Sequence, residues 1–234
     1  MSSNQINNAD DLKNLFHNAV DDGDMSENAS TVIINSLGGT TIMGCLGTDV
    51  DDLETDDVTV VSLVLDASYS MKVNEKAVRE GYNSLVEALQ NSKQPGSMLV
   101  SARTFAGTQK LLYGFTKVEE VSKIGMKYMA EGNSTALYDT LVDAMTGIRA
   151  YVKNLNDNGI RTKCIVVVFS DGEDNDSHQN KATDVKILSE DFLKSEMFYL
   201  VYIGYKHEDS DNLDAIAQEV GFPNVLTTKA TGSE

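Results

Sequence analysis

Apolar positions change their spacing near Val58, and the change divides the chain. From there on, short continuous apolar runs alternate with longer stretches of helical period. Val60 to Leu65 is nearly unbroken and rich in β-branched residues, as a strand buried on both faces of a parallel sheet must be. Residues 164–169 and 197–203 repeat that pattern, and further strands are predicted over 97–105, 110–115 and 224–227. Between them, Val73, Ala77, Val78, Tyr82, Leu85 and Leu89 predict a helix over 72–92. Leu137, Leu141, Ala144, Ile148 and Val152 predict another over 136–154. Helices are also predicted over 118–129, 184–194 and 211–219, with a break at Pro95-Gly96 and a loop over 131–134. Alternation of this kind builds right-handed βαβ units around a mainly parallel sheet, an α/β fold.

Residues 1–57 carry no such alternation and are expected as an acidic extension to a domain over 58–234. A short helix is predicted over 8–20, with Asn8 or Asp10 as its cap. Residues 21–30 are polar and turn-like. Residues 31–35 and 40–43 flank Ser-Leu-Gly-Gly and are expected to pair as a hairpin, which would have the apolar content to lie along a sheet edge. Residues 49–57 hold six carboxylates. They lack the Gly and terminal Glu of an EF-hand calcium loop, so a solvated acidic linker is the expectation.

Charge narrows the partners. The formal net charge is −17, and residues 1–58 supply −11 of it with ten Asp, two Glu and one Lys. So acidic a chain repels nucleic acid and anionic lipid at long range, which leaves cations, basic surfaces and other proteins. No run of about 18 apolar residues is present, and the first residues lack the basic-then-apolar order of a secretory signal. Cys45 and Cys164 are the only cysteines, and the run around Cys164 suits a small buried residue better than half of a disulfide. The expectation is a cytoplasmic protein with no membrane span.

Candidate chemistry gathers where the buried strands end. Asp66 closes the first apolar run and is followed by Ser68 and Ser70 at alternate positions. Gly132-Asn-Ser-Thr135 precedes the helix predicted from 136, and Asp171 follows Phe169-Ser170. In open α/β sheets, ligands bind in the crevice at the carboxyl ends of the strands. Two carboxylates and three hydroxyls are hard oxygen donors of the kind Mg²⁺ takes. Taken singly, each has a plainer account: Ser68, Ser70 or Thr135 as a helix cap, Asp171 as a turn residue before Gly172. Together, three separate strand-end loops supply the same donor type.

Asp66-x-Ser68-x-Ser70, then Thr135 in Gly-Asn-Ser-Thr-Ala-Leu-Tyr-Asp, then Asp171 in Val-Val-Phe-Ser-Asp-Gly-Glu-Asp-Asn resembles the von Willebrand factor type A domain over residues 59–228. The resemblance implies a Rossmann-like αβα fold whose six-stranded sheet has the order 3-2-1-4-5-6. It implies a metal-ion-dependent adhesion site of Asp66, Ser68, Ser70, Thr135 and Asp171. Ser68 and Ser70 would bind the ion directly, Thr135 and the aspartates directly or through water. Mg²⁺ is the expected ion, with Mn²⁺ or Ca²⁺ as alternatives. It further implies a protein partner that completes the coordination with Asp or Glu, and allows an AAA+ ATPase-linked system. Tyr69 departs from the Gly that many members carry there, and a last helix that the family leads one to expect after 228 is not in the sequence.

The function expected is therefore metal-dependent protein binding rather than catalysis. Two alternatives stand beside it. A phosphohydrolase of the haloacid-dehalogenase type also places Asp after its first strand, but needs a second Asp where Ser68 stands. A structural module with an empty metal site is the other. No Gly-x-Ser-x-Gly elbow or Gly-x-Gly-x-x-Gly loop occurs, and Gly39-Thr-Thr-Ile-Met-Gly44 is followed by Cys-Leu where a phosphate loop has Lys and Ser/Thr. His17, His178 and His207 show no ligand spacing.

Overall fold

A computed structural model of the chain describes residues 8–206 and 213–229. Six strands, β1 (Asp57–Asp66), β2 (Met98–Phe105), β3 (Gln109–Lys117), β4 (Arg161–Ser170), β5 (Phe198–Lys206) and β6 (Asn224–Lys229), form one sheet. Its order is β3-β2-β1-β4-β5-β6, parallel throughout except for β3 against β2. β1 lies at the centre, and its side chains alternate between two cores. Val60 and Val64 face one, Val61, Leu63 and Leu65 the other. Helices α5 (Leu137–Asp157), α6 (Ala182–Leu193) and α7 (Leu213–Glu219) cover the first face, and α4 (Glu75–Gln90) the second. The predicted start of the last helix, at 211, lies outside the described residues.

Two expectations fail. Residues 31–35 and 40–43 are not a hairpin: they lie in α2 (Glu27–Ser36) and α3 (Gly39–Gly44). The β-branched run suggested strand by propensity, yet the buried positions Ala29, Ser30, Val32, Ile33 and Ser36 recur at helical period. Ser26 caps the helix by accepting from Ala29 N, and Ser36 Oγ donates to Asn180 Oδ1 at 2.7 Å. The segment over 118–129 is not an α-helix. It is an extended stretch with 3₁₀ turns at Val118–Glu120 and Gly125–Lys127. Its apolar residues Val118, Val121 and Ile124 are buried at a three-residue spacing, and Gly125 takes φ 48°. Side chains of α4 satisfy its backbone from outside. Gln90 donates to Val118 O and Val121 O, Asn83 accepts from Ile124 N, and Arg79 donates to Tyr128 O.

Residues 9–44 form a further helical layer over the first face. α1 (Ala9–Asp21) is capped by Asn8, whose Oδ1 accepts from Asp10 N and Asp11 N. Leu12, Phe16, Ala29 and Ile33 join the same core as α5 and α6. This explains why α5 has 15 buried residues out of 21: it is covered on both sides. The chain then crosses the open edge of β3, where Thr48 N donates to Phe115 O at 2.7 Å and Phe115 N to Leu46 O at 3.0 Å. The carboxylates of residues 49–57 are exposed. Among the described residues, no helix is long and apolar enough to cross a membrane.

Candidate metal centre

Asp66 ends β1 in line with Phe105 of β2, one residue beyond the Leu65–Phe169 pair of β1 and β4. Its side chain is fully buried, and each carboxylate oxygen is engaged. Oδ1 accepts from Ser68 N at 2.9 Å and Ser68 Oγ at 2.6 Å, and Oδ2 accepts from Ser170 Oγ at 2.6 Å. Ser68 Oγ lies 3.0 Å from Ser70 Oγ. The two serines are thus drawn toward the carboxylate: neither they nor Thr135 make a side-chain capping bond to the helical turns that follow. The residues after Ser68 form a 3₁₀ turn over Tyr69–Asn74, so α4 starts at Glu75, later than the predicted 72.

The other two loops are tied to this one. Tyr69 N donates to Gly132 O at 2.7 Å and Gly132 N to Ala67 O at 3.0 Å. Position 132 must be glycine, because a Cβ there would fall 2.1 Å from Ala106 Cβ. Thr135 follows in the same loop and is buried. Its N–H donates to Asn175 Oδ1 at 2.8 Å, and its carbonyl accepts from Asn175 N and Asp176 N, both at 2.9 Å. The loop after β4, which begins with Asp171, is therefore clasped to the Thr135 peptide. Asp139 in the first turn of α5 holds the far end of that loop, accepting from the N–H groups of His178, Gln179 and Asn180. All five residues singled out by the sequence thus stand on three adjoining loops, two of them at the ends of β1 and β4 and the third leading into α5.

Electrostatics separates the two aspartates. Burial pushes the Asp66 carboxyl up to about 7, with the Asp171 charge adding to it, while the bonds from Ser170 and Ser68 pull the other way. Asp171 Oδ1 accepts from Glu173 N at 3.2 Å, but its Oδ2 is buried and finds no hydrogen-bond donor among the described residues. An orphaned, buried carboxylate oxygen is costly unless something binds it. The donor set is all oxygen, with two neighbouring carboxylates and three hydroxyls, and it fits a hard divalent cation.

Sequence reasoning assigned no role to two residues that support Asp66. Ser170 is fully buried, donates to Asp66 Oδ2 and accepts from Gly172 N at 3.0 Å. Its place immediately before Asp171 at the end of a buried strand was a usable signal. Tyr128, whose hydroxyl donates to the Asp66 carbonyl, left none, because it comes from the segment misread as a helix.

A sequence model of the von Willebrand factor type A domain matches residues 61–232. No curated protein matches the sequence. Among solved structures, proximal thread matrix protein 1 from the mussel byssus is similar at a TM-score of 0.52 and 22% identity, over 74% of this chain and 42% of that one. The pilus adhesin SpaC from Lactobacillus rhamnosus GG, in an open conformation, is similar at 0.50 and 14%, over 75% of this chain and 28% of the adhesin. The PilB minor pilin from Streptococcus sanguinis, a mutant form, is similar at 0.51 and 10%, over 78% and 59%. A further structure of the mussel protein has a zinc-occupied MIDAS motif; its TM-score is 0.50 at 19% identity, over 74% of this chain and 42% of that one. These likenesses are of fold, and this chain spans less than two thirds of each of those proteins.

Proposed function

The chain belongs to the von Willebrand factor type A domain family, and from that premise we propose that it is a metal-dependent protein-binding module, working in adhesion or as a scaffold. Asp66, Ser68, Ser70, Thr135 and Asp171 would hold the cation, with Mg²⁺ the best match to an all-oxygen set. When bound, such an ion supplies an electrophilic position that a carboxylate from a partner protein can fill. The observation that carries the reading is the buried, unpartnered Oδ2 of Asp171 beside a fully buried Asp66.

The chain's own residues prepare that position. Ser68 and Ser170 orient the Asp66 carboxylate from both sides and favour its charged form. The clasp between Thr135 and the Asn175–Asp176 peptides keeps the second and third loops in register. In this reading the module binds and does not catalyse: Ser68 stands where a phosphohydrolase would need a second carboxylate.

Calorimetric titration with Mg²⁺ and with Mn²⁺ tests the reading. We expect saturable heat and a raised melting temperature for the wild type. Asp171→Ala should lose both while keeping a cooperative unfolding transition, because it removes a carboxylate that repels Asp66. Equal metal response in wild type and variant would overturn the proposal.

A further inference from the structure

The rim around the metal position is chemically asymmetric. On one side run the first loop and the segment before Gly132, laid edge to edge by the Tyr69–Gly132 bond and by the Lys72–Glu131 ion pair at 3.9 Å. These two stretches carry Tyr69, Val73, Met126 and Met129, which are 67, 62, 70 and 41% exposed. Single exposed apolar residues are ordinary. Here, however, four of the nine large exposed hydrophobics among the described residues fall on two short abutting loops at the mouth of one site. Nothing in their sequence surroundings requires it: the neighbours Met71 and Tyr128 are fully buried and serve the core. On the other side, the third loop turns an exposed Glu173 outward two residues after Asp171, with Asp174 and Asp176 following.

We infer that the metal face recognises a partner-protein segment in which one Asp or Glu stands between a large apolar side chain and a basic one. The inference rests on the metal-dependent binding proposed above and adds the identity of what is bound. The segment's carboxylate meets the cation. Its apolar neighbour settles on Tyr69, Val73 and Met129, removing their surface from water. Its basic neighbour faces Glu173, where the opposite charge steers the segment in the productive direction and disfavours its reversal. A bare carboxylate would gain only the metal contact. The apolar and acidic flanks make the choice among carboxylates.

The test uses the full chain and synthetic peptides with a single central Asp. One set has Phe and Lys on its two sides, in both orders; the others have two Lys or two Ala. Binding is followed by fluorescence anisotropy in Mg²⁺ and again after chelation. We expect one Phe/Lys order to bind at least about tenfold tighter than the Ala-flanked peptide, and only with Mg²⁺. Tyr69→Ala with Met129→Ala should abolish the preference for Phe, and Glu173→Gln the preference for Lys, with melting temperature and Mg²⁺ titration unchanged because all three side chains are surface residues. Equal binding of all peptides, no peptide binding to the Mg²⁺-loaded protein, or a Phe preference that survives the double variant would overturn the inference and leave the metal site standing. A wild type that takes up no metal would overturn both.

Discussion

Asp66 is where folding and binding oppose each other. Its carboxyl sits at about 7 in the folded chain against 3.8 when free, so the folded state holds a proton that the unfolded state gives up in acid. The contribution to stability is full below the free value and is lost as pH rises through about 7. Without metal, we therefore expect Asp66→Asn to be more stable than the wild type at pH 8, and the gap to narrow as pH falls below about 7 and to close only near the free value of 3.8. A Mg²⁺-saturated comparison should reverse the order at pH 8, since only the wild type keeps the ligand. The check is melting temperature against pH with and without chelator. A gap independent of pH would show that Asp66 is not strained by its own charge. Four of the five oxygen donors were legible in the sequence because they stand at or just beyond the ends of β1 and β4, which the apolar runs mark, and Thr135 because it directly precedes the strong period of α5. The place of Ser170 was legible too, but its bond to Asp66, like that from Tyr128, was not, since a hydroxyl's partner depends on which segments become neighbours.

At the scale of elements, α3 and α5 meet through two glycines. A Cβ on Gly147 would fall 2.6 Å from Gly44 O, and one on Gly44 would fall 2.5 Å from Arg103 Nη2. Beneath this contact, Arg103 of β2 is 2% exposed and donates to Gln109 Oε1 at 3.2 Å. Gln109 donates in turn to Asp143 Oδ2 at 2.8 Å, and Thr41 of α3 donates to the other oxygen of Asp143. The close approach lets a buried charge find its polar chain. Alanine at 147 would gain about 1 kcal/mol in helix propensity, but pressing a methyl into backbone costs typically about 1–3 kcal/mol. We expect Gly147→Ala to destabilise by up to about 2 kcal/mol in chemical denaturation. A stabilised variant would mean that α3 is free to move aside. The periodicity of α5 and β1 was plain from sequence. The hairpin expectation for residues 31–43 failed because local β-propensity is weak, and burial at helical spacing overrides it. The stretch 118–129 failed because α4 supplies the hydrogen bonds that a helix would have made itself.

For the whole molecule, α1 and α2 are part of the core. Leu12, Phe16 and Ile33 are fully buried, and each such side chain contributes about 1.5–3 kcal/mol. Arg149 of α5 donates to Asp24 O at 2.7 Å, and Asp191 of α6 accepts from Ser26 N at 3.1 Å, pinning the turn between α1 and α2. We therefore expect the amides of α2 to exchange with solvent as slowly as those of α6 in a native-state hydrogen-exchange experiment. Fast exchange throughout residues 9–36 would show that the layer detaches. The acidic stretch 49–57 should exchange quickly under the same conditions.

What the sequence determined by itself was whatever depends on near neighbours along the chain. That includes buried strands from unbroken apolar runs, most helices from their period, and the residue types that close each strand. Only the tertiary structure decided what depends on neighbours across it: the helical layer that encloses α5, the edge of β3 paired by residues 46–48, and the hydroxyls that hold Asp66. The physical reason is that a strand's alternation and a helix's period are local properties of the backbone. The partner of a buried polar atom is set by which distant segments pack beside it.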